Sequence, residues 1–315
     1  MGWKRKIILY GMKAKDYITK LTKTLASRND VVWKTYPLRY KAWAFEFLKI
    51  QSKDISPDDK VIMITAWIHG NETSGPFFIL SYIQQILALM NMCGYKVIIY
   101  PLMNPSGFEY GTRFNADNDE WSYGNNDFVR YQMTDGTFAD ECREGEKFTK
   151  RYRSSDPQLQ QKLPEETTLL HKLLREDILH HVVAHVDLYQ DYITSIEWAY
   201  VYFYTFSNTY KSIIANIRKY IAVLSDTMIS AGQTWGAQSN ANGCIIRHDW
   251  TINDLLYRLG IRDTIAIETT GQTPLALAKK INRLWIKWLV LLLNHSNPCW
   301  PKKPSSSKKN EKKRK

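Results

Sequence analysis

The sequence predicts an α/β domain: a mostly parallel sheet with helices on both faces. Three observations carry this. The stretch "KVIMITAWIHG" (60–70) is apolar without alternation, as in a strand buried on both sides. "GPFFILSYIQQILALMNMCG" (75–94) has helical periodicity and a closing glycine. "YKVIIYPLMNPSG" (95–107) is a second apolar strand, broken by Asn-Pro. Strand, helix, strand in that order implies a right-handed crossover between parallel neighbours.

The remaining elements follow along the chain. Residues 6–60 contain a helical stretch near 14–27 and two β-like runs, "VVWKTYPL" and "AWAFEFLKI". Further strands are expected at "HHVVAHVDLY" (180–189), "EWAYVYFYTF" (197–206) and "DTIAIETT" (263–270). Helices are expected over 164–177, 208–231 and 274–293. The polar, Asn- and Asp-rich region 111–163 reads as a long loop layer over one sheet edge, and no internal repeat is visible.

Bulk properties narrow the function classes. At 315 residues and 44% hydrophobic content, the chain can bury one large core, and nothing demands a second domain. The N-terminal "MGWKRKIILYGMKAKD" has too short an apolar run for a signal peptide. "LWIKWLVLLL" (284–293) contains Lys287 and is shorter than the roughly 20 residues that span a bilayer, so it is expected to be a core helix. Cys93, Cys142, Cys244 and Cys299 form no CxxC pair, which argues against a disulfide framework or thiolate zinc cage. A cytoplasmic setting without integral membrane association is the default expectation.

The net charge of +12 is unevenly spread: the segment 302–315, "KKPSSSKKNEKKRK", has eight basic residues and one acid. The body carries about +5, ordinary for a soluble domain. The expected organisation is one catalytic domain over 1–300 and a disordered basic tail over 301–315. Such a tail suits contact with nucleic acid or an anionic surface, although a solvated tail is the simpler reading.

Ligands of open α/β sheets gather where strands end at their carboxyl edge. His69 and Glu72 follow one predicted strand, Arg113 another, and Glu268 closes a fourth. His-x-x-Glu alone is a weak signal. Here Gly70 permits a tight backbone path and Glu72 begins the next helix, so both side chains can face one point above the sheet. Zinc takes such nitrogen and oxygen donors.

With these residues in view, the chain resembles the zinc carboxypeptidase family, including its succinylglutamate desuccinylase and aspartoacylase branch. The resemblance rests on "IHGNETSGP" (68–76), "PLMNPSGFEYGTRFN" (101–115) and "HDWTINDLLYRLGIRDTIAIETTGQTPL" (248–275), and spans roughly 60–293. It implies a single α/β domain with a central mixed, mostly parallel twisted sheet flanked by helices, and one catalytic zinc per chain. It also implies a peptide or N-acylated amino acid as substrate. His69 and Glu72 match two of three metal ligands, Glu268 the general base and Arg113 the carbonyl-polarising arginine.

Two positions depart from the family pattern. Where the family has Asn-Arg for a substrate carboxylate, this chain has "YGNNDF" (123–128): Asn125 matches, Asn126 replaces the arginine, and Arg130 is a nearby substitute. An amide lacks the guanidinium's charge and bidentate fork, so recognition of a free C-terminal carboxylate does not follow. The third zinc ligand is expected within Asp-Leu-His, but "AHVDLYQDY" (184–192) has Tyr189 there and His185 four residues earlier. Imidazole chemistry favours His185, whereas motif register favours Tyr189, and the sequence leaves both open. Two functions follow: a zinc-dependent amide hydrolase, or a degenerate relative that binds a ligand without turnover.

Overall fold

The computed structural model describes residues 11–40, 43–113, 115, 131–133, 138–139, 148–151, 165–191, 197–204, 210–226, 239–246 and 251–294. The chain opens with α1 (Ala14–Leu25), whose buried Ala14, Tyr17, Ile18, Leu21 and Leu25 recur at helical spacing and form one stripe. A hairpin of β1 (Val31–Arg39) and β2 (Ala44–Ser52) follows. Next come β3 (Val61–Ala66), α2 (Ser74–Met92) and β4 (Lys96–Tyr100), the predicted strand–helix–strand unit, and its two strands pair in parallel.

A short α3 (Pro105–Tyr110) starts at the Asn-Pro that breaks the strand. Within 111–163, which was expected to be loop, β5 (Tyr131–Met133), β6 (Phe138–Ala139) and β7 (Phe148–Arg151) form a small separate antiparallel sheet. The second half runs α4 (Glu165–Asp177), β8 (Val182–Asp191), β9 (Trp198–Phe203), α5 (Tyr210–Ile217), β10 (Ala222–Val223) and β11 (Cys244–Ile246). It closes with α6 (Ile252–Arg258), β12 (Asp263–Thr270) and α7 (Leu275–Asn294).

The main sheet runs β1-β2-β4-β3-β8-β12-β9-β10, and β11 also pairs with β9. Its middle, β4-β3-β8-β12, is parallel, while β2 and β9 join antiparallel on either side. The expected mixed, mostly parallel sheet is therefore present. β3 and β4 are nearly continuous apolar runs because both faces are covered.

Alternation along the strands sorts residues between two cores. Ile62, Ile64 and Ala66 of β3 and Ala184, Val186 and Leu188 of β8 face the layer of α1, α2, α5 and α7. Val61 and Met63 of β3 and Tyr189 of β8 face the layer of α4 and α6. α7 buries Ile281, Trp285, Leu289 and Val290, as expected of a core helix. Among the described residues no helix is long and apolar enough to cross a membrane.

One predicted helix is shorter than expected. The segment 208–231 is helical only to Ile217, because the chain turns at Arg218–Tyr220 and is then captured by β9, with Ala222 and Val223 pairing to Trp198 and Ala199. The tail, 301–315, lies outside the described residues.

Candidate active site

β3 ends in a strained turn. Trp67 has φ 69°, left-handed backbone that a bulky side chain seldom adopts. Its fully buried indole is held edge-on against Phe108, with ring centroids 4.3 Å apart. The turn delivers Ile68 into the α4/α6 core and His69 to the carboxyl edge of the sheet.

Gly70 then packs directly onto α3 and the segment after it. A Cβ at position 70 would lie 2.2 Å from the Gly107 carbonyl carbon and 2.4 Å from the Thr112 oxygen. Gly70 N donates to the Arg113 carbonyl at 3.1 Å, which ties the His69 loop to the Arg113 loop. Asn104 supports both: its Oδ1 accepts from Gly107 N at 2.7 Å and its Nδ2 donates to the Ile68 carbonyl at 3.3 Å. Gly70→Ala is expected to destabilise the fold by about 3 kcal/mol, because backbone rather than a flexible side chain must move. Urea unfolding measures this, and a variant as stable as the parent would show that the loop yields freely.

Glu72 is the hub of the site. Its Oε1 lies 2.6 Å from His69 Nδ1 and accepts from Arg113 Nη1 at 3.1 Å. Its Oε2 accepts from the backbone N of Gln190, at the end of β8, at 3.1 Å. His69 and Glu72 are both buried, while the Arg113 side chain is about one-third exposed, at 36%. The Tyr189 ring stands beside the His69 imidazole, centroids 5.6 Å apart. Glu268 is buried one strand over, paired in register with Tyr189.

His185 is placed elsewhere. Its Nε2 lies 2.8 Å from Thr65 Oγ1, and its ring is fully buried. It pairs with Thr264, whereas Tyr189 pairs with Glu268, four residues further along β12. Four strand residues span about 13 Å, so His185 sits in the layer beneath Tyr189. Burial pushes its pKa down to about 3, which keeps the imidazole neutral. The structure thus brings His69, Glu72, Arg113 and Tyr189 together, with Glu268 on the adjoining strand. Asn125, Asn126 and Arg130 lie outside the described residues.

Two supporting residues were not anticipated. Gln190 places its side-chain oxygen at the first turn of α2, accepting from Thr73 N and Ser74 N, each at 3.1 Å. Thr73, the local capping residue, makes no side-chain cap of its own. No sequence signal marks a cap supplied from 116 residues away. Glu166, fully buried in α4, accepts from Ser106 N of α3 at 3.3 Å.

Burial raises the Glu166 pKa to about 8. The folded protein therefore keeps this acid protonated where the unfolded chain, ionising near 4.5, does not. Its contribution to stability is full below pH 4.5 and is lost as pH rises toward 8. Glu166→Gln cannot ionise, so it should gain on the parent across this window, by at most about 1.4 kcal/mol per pH unit. Urea unfolding at pH 5 and pH 8 tests this. Parallel pH dependence in the two proteins would contradict it.

The sequence of residues 58–204 matches the succinylglutamate desuccinylase/aspartoacylase catalytic domain family, a span that includes His69, Glu72, Arg113 and Tyr189. Solved structures agree in fold over nearly the whole chain. A Shewanella baltica protein provisionally classed as a metallopeptidase superposes with a TM-score of 0.64 at 17% identity, covering 88% of this chain and 91% of its own. A Shewanella amazonensis protein of the same provisional class gives 0.61 at 18% identity, over 90% and 91%. A Burkholderia cenocepacia metallo-carboxypeptidase gives 0.55 at 9% identity, over 90% and 69%.

The fold is carboxypeptidase-like. No curated protein matches the chain in sequence. That fold accounts for the arrangement described above, in which loops after β3 and β4 and the ends of β8 and β12 meet at one edge.

Proposed function

We propose that this chain hydrolyses an amide bond in a peptide or an N-acylated amino acid. The observation that carries this reading is the convergence of His69 and Arg113 on a single carboxylate oxygen of Glu72, with Glu268 in register with Tyr189 on the neighbouring strand. The family model matched over residues 58–204 and the carboxypeptidase-like fold support a hydrolase of this general kind.

Zinc is the metal this family implies. The donor chemistry fits a cation at His69 and Glu72, whose Nδ1 and Oε1 already converge. Tyr189 is the third donor on this reading, since His185 is engaged with Thr65. Among the described residues no group of three His, Cys, Asp or Glu side chains could hold a metal, so the phenol makes this a weak set.

A bound zinc would lower the pKa of a water to about 7 and polarise the scissile carbonyl. Glu268 then takes the proton from the attacking water and passes it to the leaving amine as the C–N bond breaks. Arg113, whose side chain is partly exposed, donates to the oxyanion that develops on the carbonyl oxygen. Asn125, Asn126 and Arg130 are the proposed substrate contacts. The replacement of an arginine by Asn126 shifts the preferred substrate toward an acylated amino acid or modified peptide. Hydrolysis of N-acyl amino acids and of short peptides with free C-termini, each with and without chelator, tests this reading. Chelator-sensitive turnover of either class supports it, and chelator-resistant turnover contradicts the role of metal.

A specific observation favours a second reading, ligand binding without turnover. Tyr189 rather than a histidine stands beside His69, and a phenol is a poor zinc ligand. Saturable binding of those compounds without cleavage, by zinc-loaded protein, would select it.

A further inference from the structure

We propose that Gln190 is a positioning residue that sets the orientation of the Glu72 carboxylate. This rests on the reading of His69 and Glu72 as metal donors. Gln190 is buried, and it grips three consecutive residues from the end of β8. Its backbone N–H holds Glu72 Oε2 at 3.1 Å. Its Oε1 accepts from Thr73 N at 3.1 Å, Thr73 Oγ1 at 3.3 Å and Ser74 N at 3.1 Å. Ser74 Oγ returns a hydrogen bond to the Tyr189 carbonyl at 3.3 Å.

The consequence for Glu72 is geometric. A carboxylate has two equivalent oxygens and can rotate about its last bond. With Oε2 fixed on the β8 backbone, Oε1 alone is left to face His69 and Arg113. The backbone grip is only as firm as the distance between β8 and the start of α2, and the Gln190 side chain sets that distance. Groups that hold metal-binding carboxylates and imidazoles in place typically matter about 10- to 100-fold in metal affinity. Gln190 stands in that relation to Glu72.

The test uses the full chain and zinc ion as the probe. Gln190→Leu removes the acceptor at similar size, whereas Gln190→Glu keeps it. Competitive zinc titration should show affinity falling about 10- to 100-fold in Gln190→Leu and recovering to within a few-fold of the parent in Gln190→Glu. Equal affinity in the parent and the leucine variant would overturn the proposal.

Native-state hydrogen exchange on the metal-free parent gives a second arm that needs no variant. The amides of Thr73, Ser74 and Gln190 should open as one unit, with a common protection factor. A plain helix cap would couple Thr73 and Ser74 only, and independent exchange of the Gln190 amide would overturn the proposal. If the parent binds no zinc, the metal reading fails, and the exchange result still decides the role of Gln190.

Discussion

Glu268→Gln is expected to lower amide hydrolysis by about 10²- to 10⁴-fold with folding and zinc content unchanged. In transition-state terms that is roughly 3 to 5 kcal/mol. The fold should tolerate the change, because glutamine matches glutamate in size and the site lies at the strand end rather than in the apolar interior. Glu268 closes β12 two residues before its end, buried and level with Tyr189. An amide in that place cannot accept the water's proton, and no second carboxylate follows it within β12. Steady-state kinetics on the purified variant would settle the assignment: turnover at the parent rate removes Glu268 from the mechanism.

The second large effect concerns the third metal donor. Tyr189→His should raise zinc affinity by at least about tenfold, equivalent to 1.4 kcal/mol, because it places an imidazole beside His69. His185→Ala should leave zinc affinity nearly unchanged and instead cost about 3 kcal/mol of stability. It empties a fully buried site and leaves Thr65 Oγ1 without the ring nitrogen at 2.8 Å. Zinc titration and urea unfolding on both variants separate the assignments. If His185 is the ligand, the outcomes reverse: His185→Ala releases zinc and Tyr189→His gains nothing. If neither substitution changes zinc affinity, the third donor is another residue.

The elements most legible in the sequence were those buried on both faces. β12 coincides with the predicted 263–270, and β3 and α2 fall within a residue or two of their expected starts. Continuous apolar runs and long amphipathic helices need no tertiary partner to be read. α3 and α6 were missed because six or seven residues are too few to show a period. Their start signals were nevertheless present. Asn104 accepts from Gly107 N ahead of Pro105, and Thr251 accepts from Asp254 N.

The choice between His185 and Tyr189 shows a different limit. Residues 185, 187 and 189 share one face of β8, so alternation cannot rank them. Only the depth along the strand differs, and that becomes visible once β8 is in register with β12. Gln190 was illegible for a related reason: its partners lie on a segment more than 110 residues away, and nothing local marks the contact.

Zinc content of the purified chain is the most direct measurement of whether this edge of the sheet is a metal site. Elemental analysis should find about one zinc per chain, in line with a single site built on His69 and Glu72. Removing it with chelator should abolish amide hydrolysis, and adding zinc back should restore both. Protein that holds no zinc, even after incubation with excess zinc and removal of the unbound ion, would contradict the hydrolase reading and leave a ligand-binding relative of the fold.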